Sequence, residues 1–193
     1  MNPTESEIIS RLQAAQARPH TDGYVERRSD SPKCAAALVP LLRQDGEWHL
    51  LFTRRSDSVE NHKGQVSFPG GACDGGETTP EETALREAQE EIGIEPRQVR
   101  VLGRLNSMLT ITSFMVTPVV GVIPWPTVFK PEAAEVARIF TMPLNWLAER
   151  SNRWEFVVPG RGHSVIVYHP FDGEILWGAT ARMTVDLLEL LAA

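Results

Sequence analysis

Residues 74–95 carry eight acidic side chains and a single basic one, and this concentration of charge constrains the chain more than any other feature. The rest of the sequence has 18 Lys and Arg against 17 Asp and Glu, so the formal net charge of -6 is concentrated in one short segment. Like charges that are crowded on one element repel each other, and a fold tolerates that cost mainly where a cation compensates for it. The segment therefore indicates a cation site, with a solvated acidic surface as the alternative.

The same segment is predicted to contain a helix with defined ends. Thr79 is expected to be the N-cap, Pro80 to take the first helical position, and Glu82 to close a capping box. Gly93 is expected to end the helix. One arc of this helix is apolar and is expected to pack on the core; it consists of Ala84, Leu85, Ala88 and Ile92.

A neighbouring arc of the predicted helix carries three carboxylates. Glu87, Glu90 and Glu91 share this arc because they stand at positions i, i+3 and i+4. Arg86 lies beside Glu90, where it can pair with and orient a carboxylate. Converging carboxylate oxygens are ligands that Mg²⁺ and Mn²⁺ prefer. From the helix alone, a metal site and a solvated acidic face both remain open.

The residues before the helix favour the metal site. Residues 68–77 read as a strand end that is followed by a glycine-rich loop. Gly70 and Gly71 let the backbone approach a metal or a phosphate closely, and the Gly71 carbonyl can serve as a ligand. A pair of glycines is a weak signal by itself, but its combination with Glu77 and the acidic helix is a strong one.

Together these residues resemble the Nudix box, Gly-x5-Glu-x7-Arg-Glu-U-x-Glu-Glu-x-Gly-U, where U is apolar. Its positions are filled by Gly71, Glu77, Arg86, Glu87, Ala88, Glu90, Glu91, Gly93 and Ile94. Eight residues separate Glu77 from Arg86 where the box has seven. The extra residue lies before the helix cap, so the helix register is intact but the role of Glu77 is open.

The sequence upstream is similar to a signature of the coenzyme A pyrophosphatase branch, Leu-Leu-Thr-x-Arg-Ser/Ala-x3-Arg-x3-Gly-x3-Phe-Pro-Gly-Gly. Residues 51–56 and 64–71 match it, except that Phe52 replaces the second leucine and Glu60 the inner arginine. Residues 176–181 resemble a third segment of these proteins. The resemblance implies cleavage of coenzyme A to 3′,5′-ADP and 4′-phosphopantetheine. The alternatives are a Nudix hydrolase of ADP-ribose or nucleoside triphosphates, and a Nudix-fold ligand sensor without catalysis.

The resemblance also implies roles for the box residues. Mg²⁺ or Mn²⁺ would be held by the Gly71 carbonyl and the carboxylates of Glu87, Glu90 and Glu91, with Glu87 and Glu91 as the principal ligands. Arg86 would orient a carboxylate. The predicted catalytic residues are therefore Arg86, Glu87, Glu90 and Glu91. The general base would be a box glutamate or an acid of a later loop, for which the candidates are Glu132 and Glu135. The alternative for Glu132 and Glu135 is that they are solvated charges of a loop and take no part in catalysis.

Substrate contacts are predicted upstream of the box, at Arg55, His62, Lys63, Gly64 and Phe68. Arg55 matches the signature, and His62 and Lys63 are close enough to replace the missing arginine. Phe68 and Trp177 could stack on an adenine, although a place in the core is favoured for Trp177. Thr180 is expected to cap the last helix.

The remaining sequence predicts strands with flanking helices. Helices are expected at residues 5–17, 144–150 and 179–191, and a polar linker at 19–33. Strands are expected at 34–42, 49–54, 99–105 and 115–123, and a hairpin at 154–158 and 164–168; residues 132–139 fit either a short strand or a loop. This mixture suggests an α/β fold, an α/β/α sandwich around a mixed sheet. Residues 1–193 would form one Nudix domain, with a helix and linker over 1–33 and the Nudix fold over 34–193.

The composition of the chain excludes several classes of protein. The 193 residues are 42% hydrophobic and 23% charged, which suits one globular domain. A pI near 5.4 argues against a nucleic-acid partner, and no segment resembles a signal peptide or a membrane span. Cys34 and Cys73 are interpreted as reduced, inert thiols, which favours a cytoplasmic protein. The expected partner is a small nucleotide substrate, and the resemblance allows for a homodimer.

Overall fold

The computed structural model describes residues 1–16, 31–58, 62–157 and 164–193. Most of the predicted linker and the departing residue Glu60 lie outside these ranges. The helices are α1 (Glu5–Gln16), α2 (Pro80–Ile92), α3 (Leu144–Ala148) and α4 (Gly178–Ala192). The strands are β1 (Lys33–Gln44), β2 (Glu47–Arg55), β3 (Val66–Ser67), β4 (Gly70–Ala72), β5 (Arg100–Arg104), β6 (Met108–Leu109), β7 (Phe114–Val122), β8 (Val136–Pro143), β9 (Arg153–Val157) and β10 (Ser164–Tyr168).

The main sheet is mixed, as the sequence predicts. Strands β1 and β7 run parallel, whereas β1 with β2, β2 with β8, and β5 with β7 are antiparallel. The predicted hairpin at the C-terminal end is present as the separate two-stranded sheet of β9 and β10. The segment that fitted either a strand or a loop contributes to β8, which pairs with β2 from His49 to Arg55.

Strands β1 and β2 pair only near their turn, from Leu41↔Leu50 to Gln44↔Glu47. Beyond that point the same edge of β1 pairs with β4, and the same edge of β2 pairs with β3. The segment that contains β3 and β4 therefore fills the gap where the two long strands diverge. This insertion carries the glycine loop to the middle of the sheet, beside the helix that follows it.

Helices cover both faces of the sheet, which confirms the predicted layers. Alternate residues of a strand point to opposite faces, so Leu50 and Phe52 of β2 enter a large core together with α1, α3 and α4, whereas Leu51 enters a smaller core with α2. The smaller core holds Ala84, Ala88 and Ile92 of α2, each fully buried. No helix within the described ranges is long and apolar enough to cross a membrane.

The prediction of two reduced cysteines is wrong, because Cys34 and Cys73 form a disulfide in the structure. The antiparallel register of β1 and β4 sets Ala35 against Ala72, and the next pair outward is Cys34 with Cys73. The Cys73 amide donates to the Cys34 carbonyl at 3.0 Å. The disulfide links the end of the glycine loop to β1. Because the cysteines are not free thiols, they no longer support a cytoplasmic location, and that location stays a prediction.

The structure reverses the predicted locations of two aromatic residues, Phe68 and Trp177. Phe68 is 3% exposed and stacks on Phe52 with ring centroids 4.8 Å apart, so it belongs to the core and not to a substrate site. Trp177, expected in the core, is 44% exposed at the N-cap position of α4. Thr180 does not cap that helix, because it lies inside the first turns as a buried residue.

Candidate active site

Helix α2 begins and ends as the sequence predicts. The Thr79 side chain accepts a hydrogen bond from the Glu82 amide at 3.3 Å, and the Glu82 carboxylate accepts one from the Thr79 amide at 3.1 Å. Gly93 ends the helix with φ 71°, and its amide donates to the Gln89 carbonyl at 3.0 Å. These contacts fix the rotation and the length of α2, and hence the positions of its carboxylates.

The three predicted metal-binding carboxylates differ in burial. The side chain of Glu91 is 4% exposed, that of Glu87 15% and that of Glu90 59%. This gradient follows from the packing of α2, since its apolar arc faces the smaller core and the carboxylate arc turns progressively outward from it. Glu91 and Glu87 are therefore inner groups of the site, and Glu90 lies at its rim.

The two glycines of the loop are required by close contacts. A Cβ atom at Gly71 would lie 2.5 Å from the Glu87 carboxylate, and one at Gly70 would lie 2.5 Å from the Ala36 carbonyl. A side chain at either position would push β4 away from its neighbours. As predicted, the Gly71 backbone thus lies close to a carboxylate of the helix, and the Gly70 backbone is near enough to Glu91 to lower the pKa of its carboxyl slightly.

Arg86 is the centre of a network that joins the loop to the helix. Its Nε donates to Glu77 at 2.7 Å and its Nη2 to the Ala72 carbonyl at 3.0 Å. Its Nη1 lies 2.8 Å from a Glu87 oxygen and donates to Glu90 at 3.0 Å. Despite the extra residue in the loop, Glu77 therefore reaches Arg86. The pKa of Glu77 falls to about 2, chiefly because of its hydrogen bond with Arg86.

The surroundings of Glu91 and Glu87 do not fully stabilise the ionised forms of these two carboxyl groups. Burial raises the pKa of Glu91 to about 8, and the charges of Glu87 and Glu135 act in the same direction, whereas Arg55 opposes them. Burial also raises the pKa of Glu87, against the effect of Arg86. Oxygen ligands in a buried, under-compensated acidic site fit a hard divalent cation.

The carboxylates do not all converge on one point. Arg86 draws Glu87 and Glu90 toward itself, and Glu91 turns toward Arg55, whose Nη1 is 3.9 Å from a Glu91 oxygen. Accordingly, the described residues contain no group of three or more His, Cys, Asp or Glu side chains arranged to hold a metal. Joint coordination would require Glu87 or Glu90 to exchange its contact with Arg86 for the cation.

Apart from Phe68, the predicted substrate residues lie near the end of β2, but Gly64 packs beside Arg54 and Asp57: a Cβ atom there would lie 3.4 Å from Arg54 Nη2 and 3.3 Å from the Asp57 carboxylate. The Arg55 amide donates to the Gln65 carbonyl at 2.9 Å, so the loop that carries His62, Lys63 and Gly64 returns beside Arg55. His62 and Lys63 are exposed, and His62 Nδ1 is hydrogen-bonded to the Gln65 side chain at 2.9 Å. Arg55 Nε is buried and has no hydrogen-bond partner within the described ranges.

The two late-loop acids occupy different positions. The backbone amide of Glu132 donates to the Glu91 carbonyl at 3.0 Å, but its carboxylate accepts a hydrogen bond from the Ala134 amide at 3.2 Å. Glu135 is exposed, and its charge raises the pKa of both Glu87 and Glu91. Of the two, Glu135 is thus the one whose charge is felt by both inner carboxylates.

One residue of the site was not indicated by the sequence pattern. Thr83 is fully buried, and its hydroxyl donates to Glu77 at 2.6 Å. Thr83 lies one helical turn before Arg86, on the side of the helix that packs against the core. A hydroxyl among the apolar residues of that side is the sequence signal that could have identified it.

The comparison with protein families assigns this architecture. The family model described as the NUDIX domain matches residues 32–158. The chain belongs to the Nudix family. Nudix hydrolase NudL of Yersinia enterocolitica, described as uncharacterized, is 39% identical over 183 residues, which cover 93% of this chain and 89% of that protein. NudL of Pectobacterium atrosepticum, described likewise, is 42% identical over 154 residues, or 79% and 80% of the two chains.

Solved Nudix structures share the fold. RenU, a Nudix hydrolase from M. smegmatis, aligns with a TM-score of 0.53 and 24% identity over 63% of this chain and 77% of its own. A MutT/nudix family protein from Enterococcus faecalis aligns with a TM-score of 0.57 and 12% identity over 98% of this chain and 70% of its own. Membership in the Nudix family confirms a hydrolase of phosphoanhydride bonds. Such hydrolases use divalent metals and nucleotide-derived substrates; a homodimer stays a prediction.

Proposed function

We propose that this Nudix hydrolase cleaves the diphosphate of coenzyme A, or of a coenzyme A derivative, to 3′,5′-ADP and 4′-phosphopantetheine with Mg²⁺ or Mn²⁺. The observation that carries the proposal is the place of the upstream signature. Its Arg55 lies 3.9 Å from Glu91, and its last residues form β3, which pairs with β2, and β4, which packs against the acidic helix. These contacts support a single site to which both the signature and the box contribute.

The metal would be held by Glu87 and Glu91 as principal ligands, with Glu90 at a second cation or a bridging water and the Gly71 carbonyl completing the sphere. A divalent cation at this position neutralises phosphate charge and activates a water. Arg86 remains anchored by Glu77 and by the Ala72 carbonyl, and orients the two carboxylates nearest to it.

Arg55 would bind the diphosphate of the substrate. Its side chain is 27% exposed, its Nη1 is 3.9 Å from a Glu91 oxygen, and its buried Nε has no hydrogen-bond partner among the described residues, so its capacity to donate hydrogen bonds is incompletely used there. A phosphate oxygen would accept further hydrogen bonds from this guanidinium, because guanidinium groups match phosphate geometry. His62 and Lys63, exposed on the adjoining loop, would extend this contact toward the rest of the nucleotide, whereas Gly64, which packs beside Arg54 and Asp57, would serve the shape of that loop.

Glu135 would act as the general base that accepts the proton of the attacking water. The exposed position of Glu135 and the effect of its charge on the pKa values of both inner carboxylates support this role. Glu132 fits this role less well because its carboxylate is engaged by the loop backbone.

The experiment is product analysis by chromatography after the purified protein is incubated with Mg²⁺ or Mn²⁺ and, in parallel, with coenzyme A, ADP-ribose and dNTPs. Formation of 3′,5′-ADP from coenzyme A, faster than products form from the other substrates, would support the proposal. A preference for ADP-ribose or a dNTP would overturn the substrate and leave the family intact; the replacement of arginine by Glu60 favours this second candidate. Binding without turnover of any substrate would instead support a ligand sensor, which the retained carboxylates oppose.

A further inference from the structure

The Glu77 carboxylate is held on both oxygens. One oxygen accepts the hydrogen bond from Arg86 Nε at 2.7 Å. The other accepts one from the Thr83 hydroxyl at 2.6 Å and one from the Asp74 amide at 2.7 Å. Its side chain is 12% exposed. With one oxygen fixed by two donors, the carboxylate cannot rotate freely, so the other oxygen is held facing Arg86.

The Thr83 hydroxyl is used differently from a similar hydroxyl elsewhere in the protein. A buried threonine inside a helix usually donates to the carbonyl four residues earlier, as Thr184 of α4 does to the Thr180 carbonyl at 2.9 Å. Both threonines are fully buried. Thr83 directs its hydroxyl out of α2 to a carboxylate of the preceding loop. Its hydrogen bond therefore links two segments of the site, whereas that of Thr184 stays within one helix.

We propose that Thr83 is a positioning residue for metal-dependent hydrolysis. It fixes Glu77, Glu77 fixes the Nε side of Arg86, and the Nη1 side of Arg86 sets where Glu87 and Glu90 lie. Arg86 has to stay in place when those carboxylates move to a cation, and besides Glu77 it contacts the Ala72 carbonyl at 3.0 Å and, at 3.8 Å, the exposed Asp74 carboxylate. This role rests on the metal-binding roles proposed for Glu87 and Glu90.

The test compares Thr83→Val, which removes the donor at nearly constant volume, with Thr83→Ser, which retains it. Thr184→Val is the matched control, since it makes the same change at an equally buried threonine of α4. The readouts are the Mn²⁺ affinity of the substrate-free protein by electron paramagnetic resonance, kcat and KM at saturating metal, and the Tm. Thr83→Ala removes the same donor if the valine variant does not fold.

Residues that orient metal ligands indirectly typically contribute 10–100-fold to affinity or activity, so we expect Thr83→Val to weaken Mn²⁺ binding and lower kcat by about tenfold, with KM within about twofold. Thr83→Ser and Thr184→Val should keep both constants within about twofold, even where their Tm falls. In a Glu77→Ala background, Thr83→Val should cause no further loss, because Thr83 acts through Glu77.

Unchanged Mn²⁺ affinity and kcat in Thr83→Val would overturn the role of Thr83 while leaving the proposed function standing. An equal loss in Thr184→Val would overturn it as well, since that result indicates a general effect of helix stability. Absence of Mn²⁺ binding in the wild-type protein would overturn the proposed metal site itself and, with it, the role of Thr83.

Discussion

Arg54 and Arg55 are neighbours on β2 but point to opposite faces of the sheet, and they meet different surroundings. Their side chains are similarly exposed, 34% and 27%. Arg54 lies within 3.6 Å of Asp57 and 3.7 Å of Glu174, and Glu174 also pairs with Arg138 at 3.2 Å. Arg55 has only the longer contact with Glu91 and an unpaired Nε within the described ranges.

The two arginines differ in their supply of partners and not in their exposure, and this difference leads us to propose a functional role for Arg55. On the face of Arg54, two arginines and three acids form a surface network of ion pairs. On the face of Arg55, buried carboxylates have raised pKa values, and the arginine has no close partner among the described residues. Groups kept in such an unbalanced state are typical of sites that a charged ligand completes.

The largest expected effect is that of Glu91→Gln, which removes an inner carboxylate from the unbalanced face. We expect kcat to fall at least about 1,000-fold, since a metal ion contributes several kcal/mol to the transition state. The fold should persist, because a buried carboxylate whose pKa is raised by burial costs stability near neutral pH that the neutral amide does not. Steady-state kinetics and thermal unfolding of the metal-free protein measure both.

Glu189→Gln, an exposed position of α4, is the control for the same change of charge. Mg²⁺ or Mn²⁺ should raise the Tm of the wild type and of this control but not that of Glu91→Gln. Metal-dependent activity above about a tenth of wild type in Glu91→Gln would contradict the role of Glu91 as a principal ligand.

The next effect is that of Glu135→Gln, which should lower kcat by about 100-fold, as removal of a general base does. Glu132→Gln, in the same loop, should stay within about threefold, because the Glu132 carboxylate already accepts a hydrogen bond from the loop backbone. The rates of both variants at saturating metal and substrate measure the difference. Equal losses in the two variants would indicate that the loop as a whole matters and that Glu135 has no special role.

Arg55→Ala should raise KM for coenzyme A by about tenfold and lower kcat less, since a lost charge-assisted hydrogen bond costs about 1.5–3 kcal/mol of binding. Arg55→Lys keeps the charge but not the planar fork, so it should restore only part of the affinity. An unchanged KM in Arg55→Ala would remove Arg55 from the substrate site and leave its unpaired Nε unexplained.

Features of the site that depend on local sequence were predictable. The caps of α2 and the shared arc of Glu87, Glu90 and Glu91 follow from hydrogen bonds and spacings within a few residues, and the structure has them. The distribution of those carboxylates between Arg86 and Arg55 was not predictable. It depends on where β2 and the glycine loop lie relative to the helix, which only the assembled sheet determines.

Contacts between distant segments account for the errors. The bridge from Cys34 to Cys73 joins residues 39 apart in sequence and arises from the register of β4 on β1. Phe68 is buried because β3 and β4, which flank it, join the sheet beside β2 and β1 and bring its ring against Phe52. Trp177 is exposed because it precedes α4 at the surface. In both aromatic cases the residue type alone gave no means to decide between core and ligand contact.

The smallest expected effect is that of replacing Arg54, the arginine whose ion-pair partners are present in the structure. Arg54→Ala breaks partly exposed ion pairs, each worth about 0–1 kcal/mol, so the Tm should fall by no more than about 2–4 °C. The values of kcat and KM should remain within about twofold of wild type, because Arg54 faces away from Glu91 and its partners Asp57 and Glu174 stabilise the opposite face. If Arg54→Ala raised KM as much as Arg55→Ala does, the two faces of β2 would not be functionally distinct, and the unpaired donors of Arg55 would no longer identify the side on which the substrate binds.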